Sequence, residues 1–187
     1  MEINNLCELK ECLKKDALNY RSQQGLRKYW NNMFSTPISD QKFIWKYIKC
    51  LRYVEYYLQK RGIIYKFISI IYLYKLRKLS YKTGFQIPPF TCGKGLTIWH
   101  WGTIIINPLV RIGDNCTLYP GVLIGHKYEG ALAPHIGNNC FIGSGAKIIG
   151  DIVIGDNVII APNTNITKNI DDNCVCVGNN VTKKNQF

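Results

Sequence analysis

Residues 136–166 read IGNNCFIGSGAKIIGDIVIGDNVIIAPNTNI, and an isoleucine returns at every sixth position: Ile136, Ile142, Ile148, Ile154, Ile160 and Ile166. The same phase runs upstream through Ile106, Ile112, Leu118 and Ile124, with one slot, Gly130, falling in a polar stretch. A second series lies four residues after the first: Val110, Cys116, Val122, Cys140, Ala146, Ile152, Val158, Thr164 and Ile170. Gly often follows the first series, and Asp-Asn or Asn-Asn often follows that Gly, as in Asp114-Asn115, Asn138-Asn139 and Asp156-Asn157. A period of six fits neither an α-helix nor an alternating strand. It fits a prism-shaped coil in which each unit of six is one short flat strand plus a turn, and three units close a turn of the prism. Gly and Asn suit the turns because they tolerate positive φ at low cost. Stacked coils then make the aliphatic ladder a continuous core. The expected fold is mainly β, a parallel β-helix of hexapeptide repeats over residues 84–187. In this register Cys116 and Cys140 are small core fillers. Cys174-x-Cys176 reads as structural too, because two Cys fall short of the four ligands of structural zinc.

The chain upstream has another character. Residues 4–34 and 38–61 read as helices, the second from the spacing of Ile44, Tyr47, Ile48, Leu51, Val54, Glu55 and Leu58, with Gly62 as its stop. A third helix is expected over 63–82, ending at Gly84, and Pro88-Pro89 then enforces extended chain at the mouth of the coil. The division is thus an N-terminal α-helical region, 1–83, and the β-helix, 84–187.

Charge follows the same division. The net +12 sits in the first half: residues 1–95 hold 18 Lys/Arg against 6 Asp/Glu, and residues 96–187 hold 6 against 6. Three readings of the basic helical region stand open: a solvated helix face, peripheral attachment to an anionic membrane surface, and nucleic-acid binding, for which no recognised motif appears. The charged N-terminus lacks the apolar core of a signal peptide, and the apolar run at 63–74 falls short of the roughly 20 residues a membrane span needs. A cytoplasmic protein with reduced thiols is expected, at most peripheral to the inner face of the membrane.

Counted back from Ile106, the ladder reaches His100, an imidazole where an aliphatic residue is expected. Around it stand Gly93-Lys94-Gly95, then Gly121-Val122-Leu123-Ile124-Gly125, and Gly143-Ser144-Gly145-Ala146-Lys147-Ile148-Ile149-Gly150. With these blocks, residues 84–178 resemble the serine acetyltransferase branch of the hexapeptide-repeat acetyltransferases. The resemblance implies a left-handed β-helix, acetyl-CoA as co-substrate, no metal, and a homotrimer in whose intersubunit groove the acetyl-CoA lies; a dimer of trimers through the N-terminal helices stays open. It implies His100 as the general base that takes the proton of an attacking alcohol. A neutral imidazole suits that task at cellular pH. By the same resemblance Gly143, Ser144, Gly145, Ala161 and Pro162 admit the pantetheine arm and Lys168 meets the nucleotide phosphates; His126 departs from the family, which usually has Gly there, so a different contact to the thioester end is expected at His126.

Four positions depart from the family pattern. Gln86 and Trp99 replace Asp, and Leu132-Ala133 replaces the Arg-His pair before Pro134-His135-Ile136-Gly137. Free serine carries both charges, so its site should offer a cation and an anion, and the matching positions no longer do. Trp99 and Trp101 bracket the base instead, and aromatic faces suit sugar rings. A sugar hydroxyl is therefore the expected acceptor, held by Gln86, Trp99, Trp101 and His135, with serine as the alternative; the replacements resemble the variant of this branch associated with surface-polysaccharide O-acetylation, which implies a surface polysaccharide or its precursor. Two other classes stay open: a metal-dependent hydratase similar to γ-class carbonic anhydrases, and a non-catalytic β-helix scaffold.

Overall fold

A computed structural model describes residues 3–30, 40–179 and 181–184. Among the described residues three helices come first: α1 (Leu6–Trp30), α2 (Asp40–Leu58) and α3 (Ile63–Thr83). The expected helical residues 31–34, 38 and 39 lie outside the described residues. α1 opens on a reciprocal cap, where Asn5 Oδ1 accepts the Glu8 N–H at 2.9 Å and Glu8 Oε2 accepts the Asn4 N–H at 2.6 Å. α2 buries Ile44, Tyr47, Ile48, Leu51 and Val54 completely; Leu58, expected on the same stripe, is its last residue and is 43% exposed. Gly62 does not end α2 but stands as the N-terminal boundary residue of α3. At the other end Gly84 adopts φ 79°, and its N–H donates to Ser80 O at 2.8 Å, the left-handed stop that glycine allows.

Among the described residues fourteen short strands follow: β1 (Phe85–Gln86), β2 (Thr97–Ile98), β3 (Ile104–Ile106), β4 (Arg111–Ile112), β5 (Thr117–Leu118), β6 (Leu123–Gly125) and β7 (His135–Ile136). After these come β8 (Phe141–Ile142), β9 (Lys147–Ile149), β10 (Val153–Ile154), β11 (Ile159–Ile160), β12 (Asn165–Ile166), β13 (Cys174–Val177) and β14 (Val181–Lys184). They form three faces of a prism. Face one is β1-β3-β6-β9-β12, face two β4-β7-β10, and face three β2-β5-β8-β11-β13, with β14 added antiparallel at its edge. The other pairings are parallel and in register, so Ile106, Ile124, Ile148 and Ile166 stack on face one and Leu118, Ile142 and Ile160 on face three. The ten ladder residues are each at most 5% exposed, and the second series at most 6%. The architecture is a left-handed parallel β-helix with an N-terminal helical region.

Turn chemistry locks the coils together at the corner between faces two and three. Asn115, Asn139, Asn157 and Asn173 all sit at φ near 57°. Each carboxamide donates to the next: Asn115 to Asn139 at 3.2 Å, Asn139 to Asn157 at 3.1 Å, and Asn157 to Asn173 at 3.1 Å. Beside this ladder, Asp114, Asn138, Asp156 and Asp172 accept backbone N–H groups from the coil before, at 2.5–2.8 Å.

The helices close the open end of the prism. Tyr47 packs edge-on against Phe85, with ring centroids 5.2 Å apart, and its hydroxyl bonds Ile87. The residues of α2 and the coil belong to one continuous core. Below it lies a buried ionic knot. The Arg52 guanidinium donates to Asp16 of α1, to Glu55 of α2, and to the carbonyls of Cys92 and Gly93 in the coil's first turn. The carboxylates reach onward: Asp16 accepts the Leu96 N–H at 3.0 Å and Glu55 the Phe90 N–H at 2.8 Å.

Candidate active site

His100 does not occupy the inward slot that the six-residue count assigns to it. Ile98 fills that column, paired with Leu118 and fully buried. Ile98 and Ile106 are eight positions apart, whereas their partners Leu118 and Ile124 are six apart. The two extra residues make the turn between β2 and β3 bulge outward, and His100 rides on that bulge, exposed. The count goes astray because Ile104 and Ile106 are both buried, which lets the aliphatic run be phased either way. Gly102 makes the bulge feasible, at φ 136° and with Pro120 Cβ 3.0 Å from where a side chain would begin.

The ring beneath the bulge is Tyr119, which the hexapeptide pattern does not single out. Its centroid lies 6.2 Å from His100 and 6.5 Å from Trp99, and Trp99 stacks on it at 27°. Tyr119 in turn meets Phe141 at 5.2 Å. Its one sequence signal is position: Tyr119 stands directly after Leu118, as Trp99 does after Ile98, and these strands are paired. Trp101, next after His100 in the chain, is 45% exposed.

Down the same corner the side chains shrink. Gly143 and Ala161 follow Ile142 and Ile160 as Tyr119 follows Leu118, so aromatic rings in the early coils give way to near-bare backbone. Gly143 is required here, since a Cβ would come within 2.7–2.9 Å of the backbone of residues 160–162. Ser144 donates to Pro120 O at 2.7 Å, and the N–H groups of Gly145 and Asn163 bond Pro120 O and Ser144 O. His100, Trp99, Gly143, Ser144, Gly145, Ala161 and Pro162 therefore share one edge of the prism, rings at the top and a small-residue channel below.

The remaining candidates lie elsewhere on the chain. His126 and Lys168 are on the corner between faces one and two, where residues 126–134 loop out. There Asn107 Oδ1 accepts the Leu109 N–H at 2.9 Å, which turns its Nδ2 toward His126 Nδ1 at 3.1 Å. That ring nitrogen then accepts from the carboxamide, which leaves Nε2 as the nitrogen turned away from Asn107. His135 is exposed on face two, between Arg111 and Val153. Gln86 lines a cavity of about 990 Å³ between α3 and face one, together with Tyr74, Arg77, Tyr81, Ile87 and Ile106. His126, His135 and Lys168 thus stand on other corners or faces of the prism than His100, and Gln86 stands on face one beside Ile105. Among the described residues no group of three or more His, Cys, Asp or Glu is arranged to hold a metal ion.

Comparison with known proteins matches residues 133–168 to the bacterial transferase hexapeptide (six repeats) family. Residues 133–168 of the coil thus resemble transferase hexapeptide repeats. Among curated proteins, the chain is 36% identical over 99 residues to a serine acetyltransferase of Helicobacter pylori, covering 51% of this chain and 58% of that protein. It is 34% identical over 127 residues to a serine acetyltransferase of Staphylococcus xylosus, covering 66% and 56%. The chain spans about half the length of the curated relatives it matches. Among solved structures, soybean serine acetyltransferase superposes with a TM-score of 0.68 at 20% identity, over 94% of this chain and 68% of that one. Serine acetyltransferase isoform 3 of Entamoeba histolytica, in complex with cysteine, gives 0.63 at 24% identity, over 90% and 58%. At these identities the superpositions speak for the fold, helices included.

Proposed function

We propose that the hexapeptide-repeat chain is an acetyl-CoA-dependent O-acetyltransferase in which His100 takes the proton of an acceptor hydroxyl as that oxygen attacks the thioester carbonyl. The observation that carries this reading is the exposed imidazole on a ring-backed bulge, standing over an edge whose side chains vanish at Gly143 and Ala161. A thin, extended thioester arm needs such a channel, and a base must lie beside its end. The carbonyl oxygen becomes an oxyanion during attack and requires N–H donors; the thiol of CoA leaves with the proton that His100 has taken. Residues 84–187 carry the site in this reading, and residues 1–83 form the basic helical region.

A homotrimer completes the arrangement. His126, Lys168 and the 126–134 loop sit on a different corner from His100, so a second copy laying that corner along the His100 edge assembles both halves of one groove. His126, with its Nε2–H facing away from Asn107, is then a donor for the thioester end.

Serine is the acceptor that the named relatives support. A sugar hydroxyl, on a surface polysaccharide or its precursor, is the second reading, and two observations favour it: Leu132 and Ala133 supply no charge, and Trp99 stands next to His100 with its ring 6.5 Å from Tyr119, an aromatic surface beside the base. The deciding assay is thiol release from acetyl-CoA with serine and with activated or lipid-linked sugars. His100→Ala should lower turnover by about 10²–10⁴-fold while CoA still binds; near-normal turnover removes His100 from the mechanism.

A further inference from the structure

α3 has one side covered and one uncovered, and the uncovered side is apolar. Ser69, Leu76 and Thr83 are buried against the rest of the molecule. On the other side Ile63, Ile64, Phe67, Ile70, Ile71 and Tyr74 are 73%, 70%, 64%, 56%, 52% and 59% exposed. Residues 63, 67, 70 and 74 follow the helical repeat and form one stripe. Lys66 and Arg77 flank it on one side, Lys78 and Lys82 on the other. Residues 63–83 hold five basic side chains and no acidic one. Lys78 Nζ lies 4.6 Å from the centre of the Tyr74 ring, so cation and aromatic form one surface.

We propose that α3 docks the protein on an anionic lipid surface, with the Ile63–Phe67–Ile70–Tyr74 stripe at the acyl boundary and the flanking lysines and Arg77 against lipid phosphates. Charge selects this occupant. Among the described residues no helix is long and apolar enough to cross a membrane, whereas an exposed apolar face rimmed by cations fits the interface plane. A second copy docking by the same face would press two helices together with cations on both and no carboxylate to pair them. Nucleic acid would meet a greasy centre. The docking is independent of the acetyl-transfer reading, because lipid binding and turnover on a soluble acceptor are separate measurements.

The test is co-sedimentation of the full chain with vesicles rich in phosphatidylglycerol and with vesicles of phosphatidylcholine alone. Binding to the anionic vesicles is expected, at least about tenfold weaker to the neutral ones, and weakened at about 1 M salt, where charges are screened beyond about 3 Å. Phe67→Glu with Ile70→Glu should lower binding at least about tenfold with the thermal melt unchanged, both sites being exposed. Lys66→Gln with Lys78→Gln should abolish the preference for anionic vesicles, which tests the idea even where the apolar variant fails to fold. Failure of the wild-type chain to bind anionic vesicles overturns the proposal. So does an assembly in solution that the Phe67/Ile70 variant splits while the vesicles capture nothing; that result assigns the face to a second copy.

Discussion

His100 and Cys92 are opposite placements of a titratable side chain. The imidazole is exposed on a bulge, with the Tyr119 ring 6.2 Å away. The Cys92 thiol, 1% exposed at the mouth of the coil, is sealed off, and burial pushes it from 9.0 up to about 11. The folded chain therefore holds that proton more tightly than the unfolded chain does. This part of the stability is intact below pH 9 and is lost as the pH rises toward 11. Comparing wild type with Cys92→Ala in urea unfolding between pH 8 and pH 11 isolates it. The wild-type advantage should shrink by about 2 kcal/mol over that range. Parallel stability curves would mean that the thiol ionises in the folded protein as freely as outside it.

At the scale of the element, the unit that repeats is a strand of two or three residues that has no stability of its own. Side-chain ladders at the corners supply what so short a strand lacks. Asn139 both accepts from Asn115 and donates to Asn157, at a φ of 56° that costs other L-residues about 1 kcal/mol or more. Asn139→Ala should therefore cost about 1–2 kcal/mol. Asn139→Gly, which keeps the backbone and loses only the exposed hydrogen bonds, should recover most of it in thermal melts. Equal losses would place the cost in the ladder bonds and not in the turn. Those Asn residues, with the six-residue phase of isoleucine, made the coil legible in the sequence, since both recur without reference to any distant contact. The bulge at His100 was not legible in the same way. Two inserted residues leave no trace in composition, and the run Ile104-Ile105-Ile106 hides the slip of phase. Tyr119 escaped because an outward aromatic is indistinguishable from a surface residue until the strand above it is aligned. Gly143 and Ala161 were named from resemblance, and the geometry supplies the reason for Gly143: the next coil leaves no room for a Cβ.

The whole molecule depends on closing a prism whose first coil would otherwise present unpaired backbone to water. Arg52 is the joint: its five N–H donors go to two carboxylates and two carbonyls, from α1, α2 and the coil, and its side chain is fully buried. Burial opposes the charge, but Glu55 and Asp16 beside it hold the guanidinium proton well above its ordinary range. Its partners lie up to 41 residues away in sequence, so nothing in the heptad-like spacing of α2 distinguishes it from a solvated arginine. Substituting Arg52 with Met keeps the length of the side chain and strands two buried carboxylates, which should cost about 3–5 kcal/mol in chemical denaturation. Asp16 and Glu55 also receive the Leu96 and Phe90 N–H groups, so replacing them with apolar residues leaves orphaned donors and should not rescue the variant. A loss below about 1 kcal/mol for Arg52→Met would mean that the apolar contacts of Tyr47, Phe85 and Ile87 seat the helices unaided, and that the ionic knot sets only their register on the coil.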